Sequence, residues 1–127
     1  MADAKKKVLI VEDSKSYLFI ITESLRDAGL VVVTAGDGQE GLEVVASDKP
    51  DLILLDITMP KMDGITMSKK LKEAGVNVPI IFLTNMSDIK HMSDALESTP
   101  DKTDYIVKAD TSSDDIVARV KDKLHLK

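Results

Sequence analysis

Apolar residues fall into five short runs: Val8–Val11, Leu30–Ala35, Leu52–Leu55, Val78–Leu83 and Tyr105–Val107. The runs are rich in Val and Ile and nearly continuous, the pattern of parallel strands covered on both faces. Between them the apolar positions take a helical spacing. Tyr17, Ile21, Leu25 and Ala28 share one face, Ile89, Met92 and Leu96 a second, and Ile116, Val120 and Leu124 a third. Gly29 and Gly75 stand where helices stop, and Ser112 and Asp115 have the spacing of a capping box. The order is β-α repeated five times, (βα)5, with short connections. Such alternation predicts an α/β fold, a five-stranded doubly wound parallel sheet with helices on both faces and right-handed crossovers. With no internal repeat or linker, the reading is one domain over residues 1–127, residues 1–6 forming a flexible tail, and no output domain attached.

Composition narrows the function classes. The chain has 127 residues, 43% hydrophobic and 31% charged, enough for a proper core. Only 3% are aromatic and the net charge is -5, which argues against direct nucleic-acid binding. There is no Cys, so disulfides and thiolate metal sites are excluded. The stretch MADAKKKVLIVED lacks the apolar core of a signal peptide, and no apolar run is long enough to span a bilayer. The expectation is a cytoplasmic protein without membrane contact.

Open α/β sheets bind their ligands beyond the carboxyl ends of the strands, so the polar residues there belong together. The first run ends in Glu12 and Asp13, the third in Asp56, the fourth in Thr84 and the fifth in Lys108. Two unit charges about 4 Å apart interact by about 4 kcal/mol at an effective dielectric near 20. Three clustered carboxylates therefore call for a cation, and one Lys is too little. Magnesium takes one or two carboxylates, keeps several waters and completes its shell with phosphate. A metal, a Lys and a Thr hydroxyl are parts that phosphoryl transfer uses. There is no P-loop or GxGxxG, which leaves a carboxylate as acceptor, forming an aspartyl-phosphate.

Glu12-Asp13-Ser14, the stretch TAGDGQEGL from Thr34, DITMPKMDG from Asp56, Thr84 and Tyr105-x-x-Lys108 together resemble the receiver domain of two-component signalling. The stand-alone, chemotaxis-regulator type is the nearer likeness, and it covers essentially the whole chain. The resemblance implies the flavodoxin-like strand order 2-1-3-4-5. It implies that Asp56 accepts a phosphoryl group from a histidine kinase or a histidine-containing phosphotransfer protein. Asp13 and Asp56 would bind Mg²⁺ directly, Glu12 through water, and the Thr58 backbone carbonyl would complete the protein ligands. Lys108 would hold one phosphate oxygen and Thr84 another, and Tyr105 would swing in behind Thr84. That motion would alter the surface of the helix carrying Ile89, Met92 and Leu96, the fifth strand and the last helix, for a downstream protein still to be identified. Such a domain catalyses only its own phosphorylation and dephosphorylation, and is not an enzyme acting on a separate substrate.

The departures from the family pattern carry expectations of their own. Lys108 is followed by Ala109, where relatives have a proline whose peptide bond is typically cis. A cis bond costs about 3–4 kcal/mol without proline, so either a trans bond with some relocation of Lys108 or a strained cis bond is expected. Asn85 stands where a small residue is usual, and ESTPDKTD lengthens the loop before the fifth strand. Thr58 and Met86 occupy the positions that tune hydrolysis in relatives. Neither can orient a water as an acid or carboxamide does, which predicts a long-lived phosphoryl group. Phe19 points away from the apolar stripe of its helix and is a candidate partner contact, an exposed apolar residue without a partner being the alternative. The competing reading of the whole chain is a degenerate receiver, an interaction module independent of phosphorylation.

Overall fold

The computed structural model describes residues 5–59, 61–85 and 105–126. Its elements are β1 (Lys7–Val11), α1 (Lys15–Asp27), β2 (Val31–Ala35), α2 (Gly38–Asp48), β3 (Leu52–Asp56), α3 (Gly64–Glu73), β4 (Ile80–Thr84), β5 (Tyr105–Val107) and α4 (Ser113–Lys123), with a 3-10 turn at Lys108–Asp110. The predicted helix carrying Ile89, Met92 and Leu96, the ESTPDKTD loop and Met86 lie outside the described residues. All strands pair in parallel, in the order β2-β1-β3-β4-β5. The sheet is thus the doubly wound, flavodoxin-like one that the alternation and the resemblance imply.

The apolar runs work because period-two alternation divides each between two cores. Val8, Ile10, Leu52, Leu54, Ile81, Leu83 and Ile106 face one side, against Ile21 and Leu25 of α1 and Ile116 and Val120 of α4. Leu9, Val11, Ile53, Leu55 and Phe82 face the other, against Val45 of α2 and Ile65, Met67 and Leu71 of α3. The two edge strands, β2 and β5, are less fully buried, with Tyr105 and Val107 of β5 half-buried. On β2, Val31 is exposed.

Helix ends follow local chemistry. Asp37 accepts from Glu40 N–H at 2.9 Å, Asp63 from Thr66 N–H at 2.7 Å and Ser112 from Asp115 N–H at 3.2 Å. Each closes an N-terminus by satisfying an otherwise orphaned donor. Gly29 (φ 91°) and Gly75 (φ 78°) take the left-handed conformation after α1 and α3, as their sequence positions predict. No helix among the described residues is long and apolar enough to cross a membrane.

β1 has β2 on one side and β3 on the other, so successive crossovers leave in opposite directions and open a crevice beyond the carboxyl ends of β1 and β3. Val11 pairs with Leu55, and one register step further sit Glu12 and Asp56. The fold therefore brings these two acids together by strand register alone.

Candidate functional site

Asp56 is the last residue of β3 and is 5% exposed; Glu12, just past β1, is 1% exposed. Glu12 is anchored through its backbone, whose N–H donates to the Ala35 carbonyl at 3.0 Å. Asp13 follows at the open rim. One carboxylate oxygen from each of Glu12, Asp13 and Asp56 lies within 4.8 Å of the others. From the far side of the sheet, Lys108 Nζ reaches Glu12 Oε2 at 2.7 Å and Asp56 Oδ2 at 3.3 Å. Backbone donors complete the set: Ser14 N–H to Glu12 Oε1 at 3.1 Å and Thr58 N–H to Asp56 Oδ1 at 3.3 Å.

The Lys108–Ala109 bond is trans. Of the two geometries open in the sequence, the structure takes the unstrained one. The chain turns straight from β5 into the 3-10 turn, closed by a bond from Thr111 Oγ1 to the Val107 carbonyl at 2.9 Å. From there the lysine side chain still reaches both acids.

The loop after β3 folds back tightly on the site. Gly64 N–H donates to the Ile57 carbonyl at 2.9 Å, and a Cβ at Gly64 would collide with the Asp56 carbonyl oxygen. The Asp63-Gly64 pair is thus explained by a helix cap followed by a position with no room for a side chain.

Electrostatics favour a cation. Burial first, and the Glu12 charge second, push the Asp56 carboxyl up to about 7, against the pull of Lys108. One ammonium does not balance three carboxylates. The donor set is all oxygen, its atoms are close enough to share one ion, and its rim is open at Asp13, so the residues present fit a hard divalent cation.

The remaining predicted residues are placed as follows. Thr84, 1% exposed, ends β4 and donates its hydroxyl to the Asn85 carbonyl at 2.8 Å. The side chain thus serves a backbone group here, a frequent fate of a strand-end threonine. Tyr105 is half-buried on the same sheet face, since Phe82 pairs with Tyr105 and Thr84 with Val107. Its carbonyl accepts from Arg119 Nη2 at 2.8 Å. Thr58 and Asn85 are exposed beside the acids. Phe19 is 66% exposed on α1, with Ile20 beside it at 53%. A groove of about 720 Å³ between α2 and α3, lined by Leu42, Val45, Leu71 and Val78, lies at the opposite end of the sheet.

Tyr17 packs against the core, as its place in the apolar stripe of α1 predicts, and its ring also borders the site. The Lys108 ammonium stands 5.0 Å from its ring centroid, and among the described residues the Tyr17 hydroxyl is buried with no hydrogen-bond partner. Burial, then the charges of Glu12 and Asp56, push the phenol up to about 12. The signal was available: Tyr17 stands four residues after Asp13, one helical turn beyond the acids.

Comparison with known proteins identifies the family. Residues 8–121 match the response regulator receiver domain family. The chain is 40% identical over 115 residues to the transcriptional regulatory protein DltR of Streptococcus agalactiae, covering 91% of the chain and 50% of that protein. It is 38% identical over 116 residues to the alkaline phosphatase synthesis transcriptional regulatory protein PhoP of Bacillus subtilis, covering 91% and 47%. The chain thus spans about half the length of these curated relatives. Among solved structures, the Francisella response regulator 1452 receiver domain superposes with a TM-score of 0.83 at 30% identity, covering 95% of this chain and 98% of that one. The Vibrio cholerae chemotaxis protein CheY4 gives 0.78 at 29%, covering 94% and 98%. By its matched residues, its strand order and these relatives, the chain belongs to the response regulator receiver domain family of two-component signalling.

Proposed function

We propose that this receiver domain is a phosphorylation-driven switch with Asp56 as phosphoacceptor. The observation that supports it most is the clustering of the Glu12, Asp13 and Asp56 carboxylates within 4.8 Å, with Lys108 bridging two of them. In this reading an Asp56 carboxylate oxygen attacks the phosphorus of a phosphohistidine in a histidine kinase or phosphotransfer protein. The phosphorus–nitrogen bond breaks, and the imidazole nitrogen leaves with the electron pair. Asp13, Asp56 and the Thr58 carbonyl would hold Mg²⁺, with Glu12 acting through water. When bound, the ion supplies positive charge that favours ionised acids and shields phosphoryl oxygens.

Lys108 would exchange its contact with Asp56 for a phosphoryl oxygen. Thr84 would give up the Asn85 carbonyl for another, and Tyr105, on the same sheet face, would fill the space vacated. A local change of charge is thereby read at the surface around β5 and α4. The exposed Phe19 side chain is assigned to the contact with the phosphodonor. Neither Thr58 nor Met86 offers an acid or carboxamide to orient water, so an acyl phosphate lasting minutes or longer is expected.

Incubation with acetyl phosphate and Mg²⁺, followed by intact mass measurement, tests this reading. The wild type should gain one phosphoryl group, and Asp56→Asn none. An unmodified wild type would leave a phosphorylation-independent interaction module in its place.

A further inference from the structure

Lys108 needs more support than its own backbone provides. Alanine follows it in trans linkage, and the chain turns at once into the short 3-10 turn. A lysine side chain is flexible, and this one is drawn more closely to Glu12, at 2.7 Å, than to Asp56, at 3.3 Å. The face of Tyr17 closes another side of the ammonium, with the ring centroid 5.0 Å away. That distance lies within the range at which an aromatic quadrupole attracts a cation, and the attraction grows as the cation is desolvated. The Lys108 side chain is only 19% exposed.

Tyr17 packs against the core beneath α1, and the same ring faces Lys108. Among the described residues its hydroxyl is buried without a hydrogen-bond partner, so the ring, not the polar tip, is what Tyr17 brings to Lys108. We propose that Tyr17 is a positioning residue for Lys108: its aromatic face, one helical turn beyond the acidic pair, keeps the ammonium over Asp56 in a chain where alanine follows the lysine. The inference rests on the reading of Asp56 as phosphoacceptor, and deepens it.

A double-mutant cycle on the acetyl phosphate reaction tests it, using Tyr17→Phe, Tyr17→Leu, Lys108→Ala and the Tyr17→Leu/Lys108→Ala pair. Tyr17→Leu should slow phosphorylation by roughly three- to tenfold, and Tyr17→Phe, which keeps the ring, should rescue most of the rate. Adding Tyr17→Leu to Lys108→Ala should slow it no further, because the tyrosine acts through the lysine. A wild-type rate in Tyr17→Leu, a failure of phenylalanine to rescue, or a full further loss in the double variant would each overturn the proposal. If Tyr17→Leu does not fold, Tyr17→Met is read in the same way.

A second readout is independent of phosphorylation. The Lys108 side-chain methylene resonances should carry a ring-current displacement in wild type and Tyr17→Phe that disappears in Tyr17→Leu. Ordinary lysine shifts in the wild type would overturn the positioning role. A wild type that takes up no phosphoryl group, yet shows the displacement, would instead sink the phosphoacceptor reading and leave the ring contact standing.

Discussion

Asp56 meets two demands that oppose each other. It is buried at a strand end beside Glu12, which favours the neutral acid, yet the phosphoacceptor role proposed for it needs the ionised form. In the folded, metal-free protein it titrates at about 7, against 3.8 for an unperturbed aspartate. Between those values the folded state binds more protons than the unfolded one, so this group makes stability fall as pH rises through that window. Thermal melts in EDTA should therefore show the wild-type melting temperature falling relative to that of Asp56→Asn as pH rises from 3.8 to about 7. Added Mg²⁺ should raise the wild-type melting temperature at neutral pH, and Asp13→Asn should blunt that rise. The acids were legible in the sequence because an apolar run that ends in a charge is physically odd. The direction of the Thr84 hydroxyl was not legible, because a strand-end threonine can serve either a backbone carbonyl or a ligand. Tyr17 stands one turn after Asp13, a signal that a helical stripe leaves aside because it records which face is buried and not what the face meets.

At the scale of elements, the β3–α3 connection is the tightest constraint on the site. Any side chain at Gly64 meets the Asp56 carbonyl oxygen, so Gly64→Ala should cost about 2 kcal/mol or more and displace the strand end that carries Asp56. Denaturant unfolding gives the first quantity, and loss of phosphorylation beyond that explained by unfolding gives the second. On α1, Phe19 and Ile20 form an exposed apolar pair at the end of the molecule where the acids lie. Phe19→Ala should slow transfer from a phosphohistidine donor more than transfer from acetyl phosphate, as measured by paired rates. Equal effects on both donors would remove Phe19 from the contact. The helices, caps and glycine stops could be read from spacing, since each depends on residues within a turn of one another. The trans path from β5 through Lys108 could not, because it depends on how a three-residue strand meets the turn that follows.

For the whole molecule, strand order does most of the assembly. Placing β1 between β2 and β3 sets Glu12 one register step beyond Val11 and Asp56 one beyond Leu55, and the β4–β5 register puts Thr84 and Tyr105 on one face. The continuous apolar runs indicated strands buried on both sides, and the split into two cores followed from their period. The same runs could not show that β2 forms an exposed edge, since neighbours are a property of the sheet. The most direct measurement is reductive trapping: treatment with acetyl phosphate and Mg²⁺, then borohydride, which converts an aspartyl phosphate to homoserine, then peptide mass spectrometry. Homoserine at position 56 alone is the predicted result. Recovery of unmodified aspartate at 56, or of the reduced residue at position 13 instead, would contradict it.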